Sequence, residues 1–173
     1  MSDPTSRAGA EFARPVDVSR LTSGEGSYDL KATAEERVAL AQRFGLLSLE
    51  GLEAKVRLAR LPGGLLRLSG TLSADVVQAC VVTLEPVRAS VDDEFTVAYR
   101  VGAIDGEKAV VLSGEAEVVE PLPGGILDLG EAVAQQLSLA LDPYPRSPGA
   151  AAEAASESLA SPLAGLAKWK ENN

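Results

Sequence analysis

Hydrophobic and polar positions change period several times along this chain of 173 residues. Leu52, Ala54, Val56 and Leu58 alternate with Glu53, Lys55 and Arg57, a period of two that predicts a strand with one buried face. Pro62-Gly63-Gly64 turns the chain, and Leu66, Leu68 and Leu72 then alternate with Arg67, Ser69 and Thr71, so the two runs predict a hairpin. Residues 76–84 are apolar at both parities, as in a central strand covered on both sides, and Pro86 interrupts it at a bend or edge. Asp92-Asp93-Glu94 reads as a turn. After it, Phe95, Val97, Tyr99 and Val101 alternate with Thr96, Ala98 and Arg100 in a further half-buried strand.

Two segments carry the helical period. Thr33 can cap a helix while Glu36 reaches back to its amide; Val38, Leu40, Ala41 and Phe44 supply the apolar side, and Gly45 tolerates a left-handed stop. Asp128 and Glu131 repeat that capping logic before Leu129, Val133, Leu137 and Leu141, and this helix ends by Asp142 because Pro143 and Pro145 lack donors. Shorter strands are expected at Arg14–Leu21, Tyr28–Ala32 and, before Pro121, Glu117–Glu120. Gly102–Gly114 reads as a loop or weak hairpin around Asp105-Gly106. Gly63-Gly64 and Gly124-Gly125 lack the strand-loop-helix context and lysine of a phosphate loop, so they read as turns, and no internal repeat is evident.

The organisation is a flexible tail over 1–13, one α+β domain over 14–146, a linker rich in Ala, Ser and Glu over 147–158, and a short helical segment over 159–173. Within the domain, a curled or barrel-like antiparallel sheet is expected to be packed by the two main helices. Hydrophobic residues make up 46% of the chain but aromatic ones only 4%, so the core must be built from Leu, Val and Ala. No apolar run approaches the ~20 residues that span a bilayer, and Met1-Ser2-Asp3-Pro4-Thr5-Ser6-Arg7 has no apolar signal region, which together predict a soluble cytoplasmic protein with no membrane contact.

With one cysteine and no histidine, the chain cannot form an internal disulfide, and Ser-His-Asp, Cys-His and zinc-hydrolase sites cannot be built from it alone. No cofactor, metal or small-molecule substrate is expected. A net charge of -9 argues against coating nucleic acid through bulk electrostatics. The charge is nevertheless bipolar: residues 54–74 hold Lys55, Arg57, Arg60 and Arg67 and no acid, whereas residues 92–131 hold ten acids against Arg100 and Lys108. The four bases are candidate RNA contacts on the polar face of the hairpin, although no aromatic residue interleaves with them to stack bases. The acidic stretch suits a basic partner or a solvated face.

Three further features stand out. Cys80 lies in an apolar strand without a cationic neighbour, which reads as a small buried core residue. Leu163, Leu166 and Trp169, at helical spacing, can dock back on the domain or enter a partner's groove. An enzyme would have to gather acids such as Glu85, Asp128 and Glu131 into one cleft.

Cys80-Val81-Val82-Thr83-Leu84-Glu85-Pro86-Val87, then Ile126-Leu127-Asp128-Leu129-Gly130-Glu131 running on to Leu141-Asp142-Pro143-Tyr144-Pro145-Arg146, and finally Ser161-Pro162-Leu163-Ala164-Gly165-Leu166-Ala167-Lys168 occur in an order that resembles the YceD family, the large ribosomal RNA accumulation proteins. The family-motif positions are Cys80, Leu84, Glu85, Pro86, Asp128, Leu129, Pro143 and Pro145, and their form resembles the alphaproteobacterial branch. The resemblance implies a non-catalytic role in accumulation or processing of large-subunit (23S) ribosomal RNA, with that RNA or a ribosomal protein as partner. The alternative is an acidic protein-interaction adaptor without RNA contact. Relatives are expected to carry a second cysteine three residues after the first; Thr83 stands there, so no metal role carries over.

Overall fold

A computed structural model describes residues 11–21, 24–102, 110–112, 115–117 and 119–150. Strand β1 (Pro15–Asp17) leads through a single 3-10 turn into β2 (Glu25–Lys31), helix α1 (Ala34–Phe44) and the long strands β3 (Ser48–Leu61), β4 (Leu65–Ala79) and β5 (Pro86–Val101). The short strands β6 (Val110–Leu112), β7 (Glu115–Glu117), β8 (Val119–Leu122) and β9 (Ile126–Asp128) precede helix α2 (Leu129–Ala140). One sheet has the order β2-β3-β4-β5-β8, and it curls into a half-barrel. It is antiparallel except at its edge, where β8 runs parallel to β5.

Both helix starts follow from local chemistry. The Thr33 hydroxyl accepts the Glu36 amide while the Glu36 carboxylate accepts the Thr33 amide, and Gly45 ends α1 at φ 66°. Asp128 accepts the amides of Gly130 and Glu131 at the start of α2. The inner face of the sheet is the alternating set read from the sequence, Leu52, Ala54, Val56 and Leu58 on β3 and Leu66, Leu68 and Leu72 on β4. Leu40 of α1 and Leu129, Val133 and Leu137 of α2 close over it, each fully buried. At the middle of the sheet Gly70 faces Val56, and a Cβ there would run into the Lys55 carbonyl and stand 2.9 Å from the Val56 Cα. The sheet can curl at this point because β4 has no side chain there.

The structure corrects several sequence expectations. Asp92-Asp93-Glu94 is not a turn; β5 is continuous from Pro86, and its polar first half lies beside the end of β4. The apolar run 76–84 does not form one strand: β4 stops at Ala79, Val81 and Val82 are exposed, and 81–83 turn the chain back. Val38 faces solvent at 60% exposure, so the apolar side of α1 is Leu40, Ala41 and the half-buried Phe44. β6 pairs with β7, so a hairpin exists in the 102–118 region, but Asp105-Gly106 lies outside the described residues. Phe12, within the segment read as a tail, is 2% exposed and belongs to the core.

An internal repeat is also present. Leu61-Pro62-Gly63-Gly64-Leu65-Leu66 and Leu122-Pro123-Gly124-Gly125-Ile126-Leu127 each end one strand, pass through a tight Pro-Gly-Gly turn and start the next. In both, the two glycines adopt left-handed φ values, 78° and 76° in the first and 80° and 69° in the second. The two turns, with Arg60, Arg100 and the Asp17–Ser19 backbone turn, line a cleft of about 560 Å³ at one end of the sheet.

Candidate functional site

The outer face of the sheet carries the polar half of the alternation. Register places Lys31, Glu53, Ser73 and Asp92 in one row; Asp29, Lys55, Thr71 and Glu94 in the next; then Ser27, Arg57, Ser69 and Thr96; then Glu25, Ala59, Arg67 and Ala98. Leu65 and Arg100 face each other one step further on. Lys55, Arg57, Arg67 and Arg100 therefore form a diagonal across β3, β4 and β5, with the hydroxyls of Ser69, Thr71 and Thr96 beside it. Phe95, Tyr99 and Tyr28 all belong to the opposite face of the sheet, packed in or against the core.

Within this stripe the bases differ in how far they are engaged. Arg57 lies 3.5 Å from Glu25. Lys55 has no hydrogen bond or ion pair with a described residue, and Glu94 and Asp29 stand in its row. The Nε atoms of Arg67 and Arg100 are shielded from solvent and have no hydrogen-bond partner. They adjoin a small apolar cluster of Leu61, Leu65, Ala98 and Val119. Arg60 is not part of the patch predicted from sequence. It shares the parity of Leu58, and its guanidinium donates to the carbonyls of Leu21 (3.1 Å) and Val18 (2.7 Å), so it braces the turn after β1. Arg100, hidden in the sequence by the acids counted around it, takes the vacated place.

The family-motif residues divide into two places. Cys80 and the turn after it meet the Pro143–Ser147 segment: the Val81 amide donates to the Pro145 carbonyl at 2.9 Å, and the Cys80 sulfur accepts the amides of Thr83 (3.4 Å) and Ser147 (3.3 Å). Cys80 is fully buried. The Thr83 hydroxyl, then the Ser147 and Thr83 amides, draw its thiol down to about 6 from the ordinary 9.0, because each donates toward a sulfur whose negative form they favour. The Cys80 amide donates to the Glu85 carbonyl and the Leu84 amide to the Cys80 carbonyl, which closes the turn. Leu84 sits at φ 61° and is 76% exposed. A side chain in that conformation costs about 1–2 kcal/mol and here gains no burial.

Asp128 and Leu129 lie elsewhere and hold the fold together. One Asp128 oxygen accepts the amides of Gly130, Glu131 and Arg14, and the Leu129 amide donates to the Arg14 carbonyl. Glu131 takes two bonds of 2.7 Å from Arg43, joining α2 to α1. Glu85 is at the Cys80 turn instead, so the three carboxylates of the enzyme alternative are not brought together, and they line neither the cleft beside the two glycine turns nor the one beside Lys55 and Asp92. Among the described residues no group of three metal-ligating side chains occurs, and no helix is long and apolar enough to cross a membrane. Leu163, Leu166 and Trp169 lie outside the described residues.

The model of the family described as large ribosomal RNA subunit accumulation protein YceD matches residues 68–165, more than half of the chain. The chain belongs to the YceD family. The matched region starts inside β4 and takes in both motif clusters, the Cys80 turn and the start of α2. No curated protein and no solved structure matches the chain. YceD membership connects this protein with accumulation of large-subunit ribosomal RNA, and the family is described by that role and not by a reaction.

Proposed function

We propose that this YceD protein is a non-catalytic, cytoplasmic ribosome-biogenesis factor that holds large-subunit ribosomal RNA on the outer face of its sheet, along Lys55, Arg57, Arg67 and Arg100. The observation that carries the reading is the diagonal of four bases from three adjacent strands, interleaved with hydroxyls and free of aromatic rings. Such a face suits the phosphate-sugar backbone, where basic side chains neutralise charge and hydroxyls take hydrogen bonds, and it offers no platform for base stacking. The RNA contact adds a local mechanism to the pathway that the family description names.

The test is binding of the purified protein to large-subunit ribosomal RNA across a salt series. Three or four phosphate contacts give a log-log slope of about 0.7–0.9 per contact, and changing Lys55, Arg57, Arg67 and Arg100 together to Ala abolishes it. Absence of binding at low salt, or binding that survives the fourfold change, overturns the reading. A second reading, an adaptor for a basic ribosomal protein, is favoured by Asp92 and Glu94 exposed on the same face. It requires capture of that protein after nuclease treatment.

A further inference from the structure

The turn after β4 presents apolar side chains to solvent from a frame that is held at many points. Val81 is 48% exposed, Val82 41% and Leu84 76%, and Tyr144, from the segment bonded to the turn, is 71% exposed. Bonds from Cys80, Val81, Thr83 and Leu84 fix the turn to itself, to Pro145 and to Ser147. Leu84 is thus exposed and held at left-handed φ by a bonded frame, a combination that points to a role beyond the fold. The sheet does not need it, since β4 has ended and β5 has not begun.

The chain beyond the described residues leaves from this same place. Ser147 is bonded to the Cys80 sulfur, the Ala150 amide donates to the Ser147 carbonyl, and Ala150 is fully buried. Twenty-three residues follow, among them Leu159, Leu163, Leu166 and Trp169 at helical spacing. Leu159 lies nine positions beyond Ala150, a reach of up to about 30 Å, so the apolar segment can return to the turn without strain. Charge agrees as well: Lys168 and Lys170 flank Trp169, while the exposed Glu85 and Asp142 flank Leu84 and Tyr144 and have no ion pair with a described residue. Arg146 is the one exposed base between them and the chain's exit.

We propose that residues 159–170 of this chain dock on the turn formed by Val81, Val82 and Leu84 together with Tyr144, Trp169 covering the exposed leucine. The inference goes beyond the RNA reading and does not rest on it, since the turn and the outer basic stripe are separate surfaces. Docking in this way would cover the motif turn with the chain's own terminal motif, leaving both to be released together by any partner that competes for either.

Trp169 is the chain's only tryptophan, so its fluorescence reports on this segment alone. In the full chain its emission is expected to be blue-shifted from that of the unfolded protein and protected severalfold from a neutral quencher, at every protein concentration. Changing Val82 and Leu84 together to Lys is expected to remove shift and protection while circular dichroism still shows the folded domain, both side chains being exposed on it. Three results overturn the proposal: a tryptophan as accessible as in denaturant, protection that survives V82K/L84K, and protection that grows with concentration, which means contact between two copies. Protection that arises only on adding ribosomal particles also overturns it, assigning the segment to a partner.

Discussion

The carbonyl oxygen of Phe12 lies so close over Gly130 that no side chain fits between them; a Cβ on Gly130 would also stand 2.8 Å from the Phe12 carbonyl carbon and 3.3 Å from the Arg14 amide. The atoms in the way are backbone, and the adjoining Arg14 is fixed by its amide to Asp128 and by its carbonyl to the Leu129 amide, so they cannot swing aside. Gly130→Ala is therefore expected to lower stability by about 3 kcal/mol, at the upper end of overpacking costs. Urea unfolding checks it against Gly24→Ala, where nothing lies within 4 Å and the change should be neutral.

Glu36 joins the cap of α1 to Arg14, which donates to it at 2.7 and 3.0 Å. Those bonds first, and the Thr33 amide after them, hold its carboxyl below the ordinary 4.5. A lowered folded value means that the stabilisation is complete above 4.5 and is lost as pH falls through the folded value. Glu36→Gln is expected to cost about 1 kcal/mol at neutral pH, the scale of a cap and a partly exposed pair, and to shrink the difference from wild type below pH 4. Unfolding midpoints at pH 7, 5 and 3 check both.

Cys80 gives the opposite end of the pH range. Its thiol is drawn down to about 6 from 9.0, so its contribution is complete above pH 9 and is lost as pH falls toward 6. Wild-type stability should therefore rise between pH 6 and pH 9 relative to Cys80→Ala. Parallel unfolding curves with the same pH slope in both proteins would show that the buried sulfur stays protonated.

Leu84→Gly removes a left-handed side chain that is not buried. Relief of about 1–2 kcal/mol is partly offset by the about 0.5–1 kcal/mol that glycine adds to the entropy of the unfolded chain. The variant is expected to unfold at an equal or higher denaturant midpoint. A clear loss of stability would show that what Leu84 contributes by covering contact outweighs the relief of its left-handed conformation.

What the sequence reveals is local, and what it hides is not. Thr33 with Glu36, and Asp128 with Glu131, announce both helix starts because capping acts within one turn. The alternation from Leu52 to Leu58 and from Leu66 to Leu72 reads directly as a curled sheet's inner face. Arg60 was readable too, since it falls on the parity of Leu58, but its charge drew it to the wrong face. Val81 and Val82 could not be placed this way, because apolar residues ordinarily imply burial. Phe12 looks like tail because its partner stands more than a hundred positions away. Three of the four bases of the proposed stripe are legible, since Lys55, Arg57 and Arg67 follow from alternation, whereas Arg100 joins them only through the β4–β5 register.

The clasp between the first and last described elements also sets an order of events. β2 to β5 pair only with their neighbours in sequence, apart from the edge strand β8, so they can associate as they leave the ribosome. Arg14 must wait for Asp128, 114 residues later, before its amide finds a partner. During synthesis the nascent meander therefore stands with its inner face open toward the missing α2, and β1, already held through Arg14 to Glu36 and by Arg60 at Val18, waits for β9 to complete its pairing. Termination upstream of Ile126 yields a sheet without its clasp, a natural substrate for quality control.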